Sequence, residues 1–478
     1  MITDRKIIDG VLDEFMPLCE IPHGSGNERA LSDYLADRLT ALGAQVKRDA
    51  AWSIWADVPA SNGREQQAVV ALQAHMDMVC AAGTPEYRPH IDPIAAVEQD
   101  GWLSTGGRSS LGADCGAGVA LILWLLGQKI SHPPLRILFT VQEEIGLIGA
   151  QEIPMESVKG VSALINLDGF ALNRILIGAA GGMREHYARR IELTPAPNGG
   201  AAYRLSLSGF LGGHSGFDID KKRANAILVM GEVLRLLQTK VPFAVAEFAG
   251  GETFNAIPYR CTARIVCEKP AEDLLRTLAD EVLERYRQAE PRAEMEIAAC
   301  SCPQEVWGSE VTAGLLTLLG GFADGVYAMH PDLAGTVRDS SNLGHAYEEG
   351  GEICFDAMIR FMDPNAEYAL HQSHMLIAAM CGFAGAVRTR YPAWPVKRGS
   401  ALVKHMSELY RKQTGTDAHV IAQHVGLEPS FLLEKNPEMD CIGMGMEIAN
   451  CHSPDERWKL DSIPVLARIL CSYLESSI

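Results

Sequence analysis

The chain has no Cys-x-x-Cys pair, no lysine and arginine cluster, no long uncharged apolar run and no low-complexity tract, and each absence removes a class of function. Its 12 cysteines are scattered, and the closest two, Cys300 and Cys302, have poor spacing for a structural zinc site. Most read as small buried hydrophobes of an intracellular chain. The 60 acidic residues outnumber the 42 basic ones, giving a net charge of −18. That balance argues against nucleic acid or an anionic membrane surface as partner, since both need a cationic face. The longest apolar stretch, around Ala117 to Leu126, falls well short of the roughly 18 residues that suggest a membrane span. The opening Met-Ile-Thr-Asp-Arg-Lys-Ile-Ile-Asp-Gly lacks the apolar core of a secretory signal. The expectation is a cytoplasmic protein.

What is present is an ordinary globular composition, 47% hydrophobic and 21% charged, over 478 residues. That length predicts two or three domains. Helical spacing of Leu31, Tyr34, Leu35, Leu39 and Leu42 predicts a helix ending at Gly43. Near-continuous apolar runs at Val69 to Ala74, Ile137 to Val141 and Ala163 to Leu167 predict buried strands, and Gly116 to Gln128 an apolar helix. Alternating strands and helices imply an α/β domain, a mostly parallel sheet with helices on both faces.

The pattern changes after Gly178-Ala-Ala-Gly-Gly182. Tyr203 to Ser208 and Glu294 to Ile297 alternate apolar with polar residues, as strands with one wet face do. Arg223 to Lys240 carries a helical stripe of Ala226, Ile227, Met230, Val233, Leu234 and Leu237. This reads as an α+β insertion that ends near Tyr391-Pro-Ala-Trp-Pro395. The expected division is a catalytic domain over 1–182, an inserted lid or dimerisation domain over 183–394, and completion of the catalytic domain over 395–478.

Chemistry gathers at expected strand ends. His75 and Asp77 follow the first apolar run, Asp114 stands in Leu-Gly-Ala-Asp, Glu143 and Glu144 follow the second run, and Asp168 closes the third. His452 comes near the C-terminus. Any one such acid is usually a turn former or a helix cap. Open α/β sheets, however, place their sites outside the carboxyl ends of strands, where all these groups would meet. Two imidazoles with several carboxylates suit zinc, cobalt or manganese, so the set reads as a two-metal hydrolase. Cys115 and Cys451 adjoin proposed ligands, where an exposed thiolate could bind metal or oxidise.

The order His75-Met-Asp77, Leu111-Gly-Ala-Asp114, Glu143-Glu144, Asn166-Leu-Asp168, Gly212-Gly-His-Ser-Gly216, Asn255-Ala-Ile-Pro258, Ser341-Asn-Leu-Gly344, Gly426-Leu-Glu428 and His452-Ser-Pro-Asp-Glu456 resembles the bacterial aminoacyl-histidine dipeptidases. These are cytosolic non-specific, carnosinase-like dipeptidases of the co-catalytic zinc exopeptidase clan. The resemblance implies that two divalent ions, zinc or alternatively cobalt or manganese, are held by His75 and Asp168 and by Glu144 and His452. Asp114 would bridge them, through a cis peptide to Cys115.

Glu143 would be the general base, working with a metal-bridging hydroxide to cleave the peptide bond of a dipeptide, Xaa-His or broader. Asp77 would orient His75. His214 would reach a neighbouring active site in a homodimer formed through the inserted domain, while Asn255, Arg360 and Glu428 would contact substrate. The chain departs from the pattern at Cys115, Gly169-Phe170, Phe361-Met362 and Pro429-Ser430, which alters the substrate-facing surface. Deacylation of N-acyl amino acids, another exopeptidase activity, and a non-catalytic metal-binding scaffold stay open as alternatives.

Overall fold

The computed structural model describes residues 3–476. The chain divides into two compact units, one built from residues up to Gly178 with Trp394–Ala422 and the segment from Leu427 onward. The other comprises Ala179–Ala393 with Gln423–Gly426.

The first unit is built on an eight-stranded sheet. Its centre is four parallel neighbours in the order Leu135–Thr140, Val69–His75, Val161–Gly169 and Asp440–Gly445. Residues Val70 to His75 are buried without interruption, the signature of a strand covered on both faces. The apolar runs visible in the sequence are these strands. On one side of this parallel centre Ile54–Val58 and Gln45–Arg48 add antiparallel. Arg174–Ala179 adds antiparallel to Asp440–Gly445. A short turn can supply such neighbours where a parallel strand needs a crossover. At the Gln45–Arg48 edge that turn is held by Asp49, whose Oδ1 accepts from Ala51 N and Ser53 N at 2.9 Å each.

The helix Ala113–Leu126 is buried from Ala113 through Leu125. It packs on the strands Val69–His75 and Val161–Gly169 and against the helices Asp4–Cys19 and Ser462–Glu475. The helix Asp4–Cys19 is absent from the sequence reading, although Ile7, Val11, Phe15 and Leu18 bury one face of it.

The second unit carries an antiparallel sheet running Glu294–Cys300, Ala201–Ser208, Cys261–Cys267, Phe243–Gly251, Val337–Glu349, Glu352–Phe361, Gly181–Arg190 and Ala384–Tyr391, with Gly325–Met329 paired to Val337–Glu349. The helices Ala226–Gln238, Glu272–Tyr286 and Ser309–Gly321 pack with it around one core that includes Ile227, Met230, Val233, Leu234, Val282 and Leu315. Among the described residues no helix is long and apolar enough to cross a membrane.

Candidate metal centre

His75 is the last residue of its strand, and the parallel register sets it beside Thr140. Its Nε2 lies 3.1 Å from Asp114 Oδ1 and 3.5 Å from Asp168 Oδ1. The other oxygen of Asp114 is 3.0 Å from His452 Nε2, so one carboxylate faces two imidazoles. Glu144 Oε1 stands 2.9 Å from the same His452 nitrogen. All these residues belong to the first unit.

Asp114 differs from the sequence expectation in one respect: it does not end a strand. It sits in the entry to the helix Ala113–Leu126, with φ −85° and ψ 106°, outside helical geometry. Its peptide to Cys115 is cis. Gly112 before it takes φ 72°, and a Cβ there would lie 2.8 Å from Met78 Sδ. The strand Trp102–Ser104 has ended well upstream, so a loop carries this acid to the mouth of the sheet. A site assembled from strand ends and loops on a rigid sheet is the common arrangement for α/β proteins.

Asp77 is tied to both neighbours. His75 Nδ1 lies 3.0 Å from the Asp77 carbonyl oxygen and 3.5 Å from its carboxylate. The carboxylate accepts from Glu143 N at 2.9 Å, Glu144 N at 3.3 Å and Ser25 Oγ at 2.8 Å. One aspartate therefore orients the imidazole and fixes the backbone of the glutamate pair. Gln142, with φ 53°, turns the chain there as it leaves the strand Leu135–Thr140, and its N–H donates to Glu28 Oε1 at 3.1 Å. Ser25 and Glu28 have no role in the sequence reading, because nothing local links them to motifs more than 50 positions away.

A buried polar layer adjoins the candidate ligands. Gln73 and Asn166 precede His75 and Asp168 by two residues and share their strand faces. Asn166 Nδ2 donates to Gln73 Oε1 at 2.6 Å, and Gln73 Nε2 donates to Glu428 Oε2 at 2.5 Å. Thr140 Oγ1 donates to that same oxygen at 2.8 Å. Glu428, which the resemblance places against substrate, is fully buried in this layer, and burial lifts its carboxyl to about 7.

The electrostatics favour positive charge. Burial opposes charge on His75, but Asp168, Asp114 and Asp77 outweigh it and hold the imidazole well above its ordinary range. Bonds with Asp114 and Glu144 raise His452 to about 10. Asp168 is lifted to about 6 by burial, and its Oδ1 is buried without a hydrogen-bond partner. Glu143 is raised well above the usual carboxylate range by burial, with Asp168, Glu428 and Glu144 adding to the effect. Carboxylates crowded in low dielectric around an unpartnered oxygen are costly unless a cation joins them. Ligand atoms of His75, Asp114 and Glu144 lie within 4.8 Å of one another, as do those of His75, Cys115 and Asp168. This donor set of imidazole nitrogen and carboxylate oxygen fits divalent ions. Cys115 itself is fully buried with Sγ 3.4 Å from Leu167 O, and burial, with Asp168 beside it, keeps it a thiol. Cys451 is likewise pushed up by burial.

His214, Asn255 and Arg360 belong to the second unit. His214 Nδ1 accepts from Gly216 N and Phe217 N at 3.1 and 3.3 Å. An acceptor at Nδ1 leaves the proton on Nε2, and burial, then Arg360, holds the ring neutral by lowering it to about 4. Arg360 donates to Ser215 Oγ at 3.3 Å and Tyr391 Oη at 3.0 Å, while its Nη2 lies 3.5 Å from His214 Nε2. Two donors thus stand side by side, an arrangement that an anionic acceptor satisfies. Asn255 O accepts from Ser215 N at 2.9 Å, and Asn255 Oδ1 accepts from Thr253 Oγ1 at 3.0 Å. The hydrogen bond from Ser215 fixes the loop bearing His214.

Comparison with known proteins gives four results. The model of peptidase family M20/M25/M40 matches residues 71–476. The cytosol non-specific dipeptidase of Escherichia coli (strain K12) is 28% identical over 458 residues, 94% of each chain. The crystal structure of aminoacylhistidine dipeptidase from Vibrio alginolyticus superposes with a TM-score of 0.90 at 27% identity, covering 98% of this chain and 96% of that one. Human carnosine dipeptidase 1 shares the fold, with a TM-score of 0.52 at 12% identity, covering 99% of this chain and 98% of that one.

Proposed function

We propose that this chain, which belongs to peptidase family M20/M25/M40, is a metal-dependent dipeptidase that hydrolyses the peptide bond of Xaa-His or a broader set of dipeptides. The observation that carries the reading is Asp114, whose two oxygens face His75 and His452 at 3.1 and 3.0 Å beside the Glu143-Glu144 pair. His75 with Asp168, and Glu144 with His452, would each hold one divalent ion, with Asp114 reaching both. The likeness to dipeptidases over 94% of the chain supports the same conclusion. Zinc suits the nitrogen and oxygen donors, and cobalt and manganese suit them also. Such ions, when bound, polarise a carbonyl and lower the pKa of water.

The protein groups divide the remaining work. Glu143 takes the proton of the attacking water and returns it to the leaving amine, a task suited to a carboxyl that burial holds above its ordinary range. Asp77 holds His75 and the Glu143 backbone in one geometry. Arg360 binds the terminal carboxylate of the dipeptide through its free N–H groups. His214 donates a hydrogen bond from its Nε2 N–H to the developing oxyanion. Glu428, enclosed by Gln73 and Thr140, serves in our reading to hold strand ends together instead of touching substrate.

Release of free amine from a panel of dipeptides, tripeptides and N-acetyl amino acids, with zinc, cobalt or manganese supplied, tests this reading. Turnover of dipeptides should exceed that of the other two groups. Preferential cleavage of N-acetyl amino acids would replace dipeptidase with deacylase, and no turnover of any substrate by metal-loaded protein would reject catalysis.

We further propose a homodimer formed through the second unit, in which His214 serves the partner subunit. Glu143→Gln and His214→Ala proteins should each be inactive alone. Mixed with full subunit exchange, they should regain about a quarter of native activity, since half the dimers are mixed and each contains one intact site. No recovery despite exchange demonstrated by mass spectrometry would place His214 outside the partner's site.

A further inference from the structure

Glu456 is a buried glutamate with 1% exposure, and nothing in the proposed chemistry uses it. Its Oε2 accepts from the backbone N–H groups of Leu111 at 2.7 Å and Gly112 at 3.0 Å, and its Oε1 from that of Asp114 at 3.1 Å. Three donors from one short loop converge on a group that can only accept. The loop they come from delivers Asp114, and its turn at Gly112 leaves those amides without strand or helix partners.

On its other side Glu456 is joined to His452 by a tightly bonded turn. Ser453 Oγ donates to Asn450 O at 2.7 Å, Asp455 N donates to Ser453 Oγ at 3.2 Å, and Glu456 N donates to Ser453 O at 3.1 Å. Directly after it, Arg457–Lys459 pairs with Trp102–Ser104. Hydrogen bonds of 2.7 to 3.2 Å thus link the turn that holds His452, through Glu456, to the amide of Asp114, 342 positions away in sequence.

We propose that Glu456 is a positioning residue that locks the Asp114 loop to the His452 turn, so that both side chains present their ligand atoms to the same ion. The proposal rests on the metal-centre reading above. Glutamate is required because all three partners are N–H donors: glutamine would turn an amide N–H2 toward at least one of them, leaving two donors face to face. Shape alone would be conserved by that change.

The test is divalent-ion affinity, measured by chelator competition with zinc and cobalt on the full-length metal-free protein, native and Glu456→Gln. Losing a partner that orients metal ligands typically lowers affinity by about 10 to 100-fold. Glu456→Gln should lose affinity in that range and keep its native circular dichroism spectrum. With metal saturating, its KM should stay native, which separates positioning from substrate contact. A purely structural role would lower the melting temperature of the metal-free protein and leave affinity unchanged, and native affinity in a folded Glu456→Gln protein overturns the proposal. If that variant does not fold, Ser453→Ala decides, since it loosens the turn without touching a ligand or the core: weakened ion binding supports the proposal, and unchanged binding overturns it. Failure of the native protein itself to bind either ion would instead reject the metal-centre reading.

Discussion

Glu143→Gln protein is expected to fold, to bind its divalent ions as the native protein does, and to turn over dipeptide about 10² to 10⁴ times more slowly. Folding should survive because the segment is fixed through its backbone: Glu143 N and Glu144 N both donate to Asp77, and neither bond involves the altered side chain. Metal binding should survive because the proposed ligand is Glu144, whose Oε1 faces His452, and not its neighbour. What the amide cannot do is take and return a proton. Burial, with Asp168, Glu428 and Glu144 adding to it, raises the Glu143 carboxyl well above the ordinary range, and a carboxyl so raised is a stronger base than a solvated one. The loss should appear in kcat with KM little changed, as for an interaction made mainly in the transition state. Near-native turnover by a fully metallated Glu143→Gln protein would exclude it as the general base.

The difference in legibility between Glu143 and Glu428 has a physical origin. Strands buried on both faces leave continuous apolar runs, and a polar group that ends such a run stands out. His75, Glu143, Glu144 and Asp168 were therefore visible in sequence together with the strands that carry them. Asp114 was visible as a residue but not as a place, because it lies on a loop entering a helix and no strand points to it. The exposed edge strand Gln45–Arg48 lacks an apolar pattern altogether, and Gly10 and Pro17 interrupt the stripe of the helix Asp4–Cys19.

Glu428 depends on Gln73 and Thr140, which are 355 and 288 positions away. Glu456 depends on backbone amides 342 or more positions away. No local periodicity encodes such pairings. The resemblance places Glu428 against substrate, whereas the fold encloses it among buried donors. The polar layer beside the candidate ligands is thus legible only once the strands are in register.

Removing the divalent ions with a chelator should abolish turnover, and adding zinc, cobalt or manganese back should restore it. His452→Ala and Asp168→Ala should each prevent that restoration at ordinary metal concentrations. Asp114 faces both imidazoles, and Asp168 Oδ1 has no hydrogen-bond partner, so each variant deletes a donor from a shared cluster that the fold alone does not satisfy. Binding is linked to folding, which gives a readout independent of substrate. At an ion concentration a thousand times the native dissociation constant, one bound ion stabilises the native protein by about 4 kcal/mol. A variant with hundredfold weaker affinity gains only about 1.4 kcal/mol under the same conditions. Calorimetry with and without metal should therefore show a large upward shift for the native protein and a much smaller one for each variant. Two ions still tightly held by both variants, with native thermal shifts, would remove His452 and Asp168 from the ligand set. Losing the shift in one variant alone would keep that residue and reassign the other.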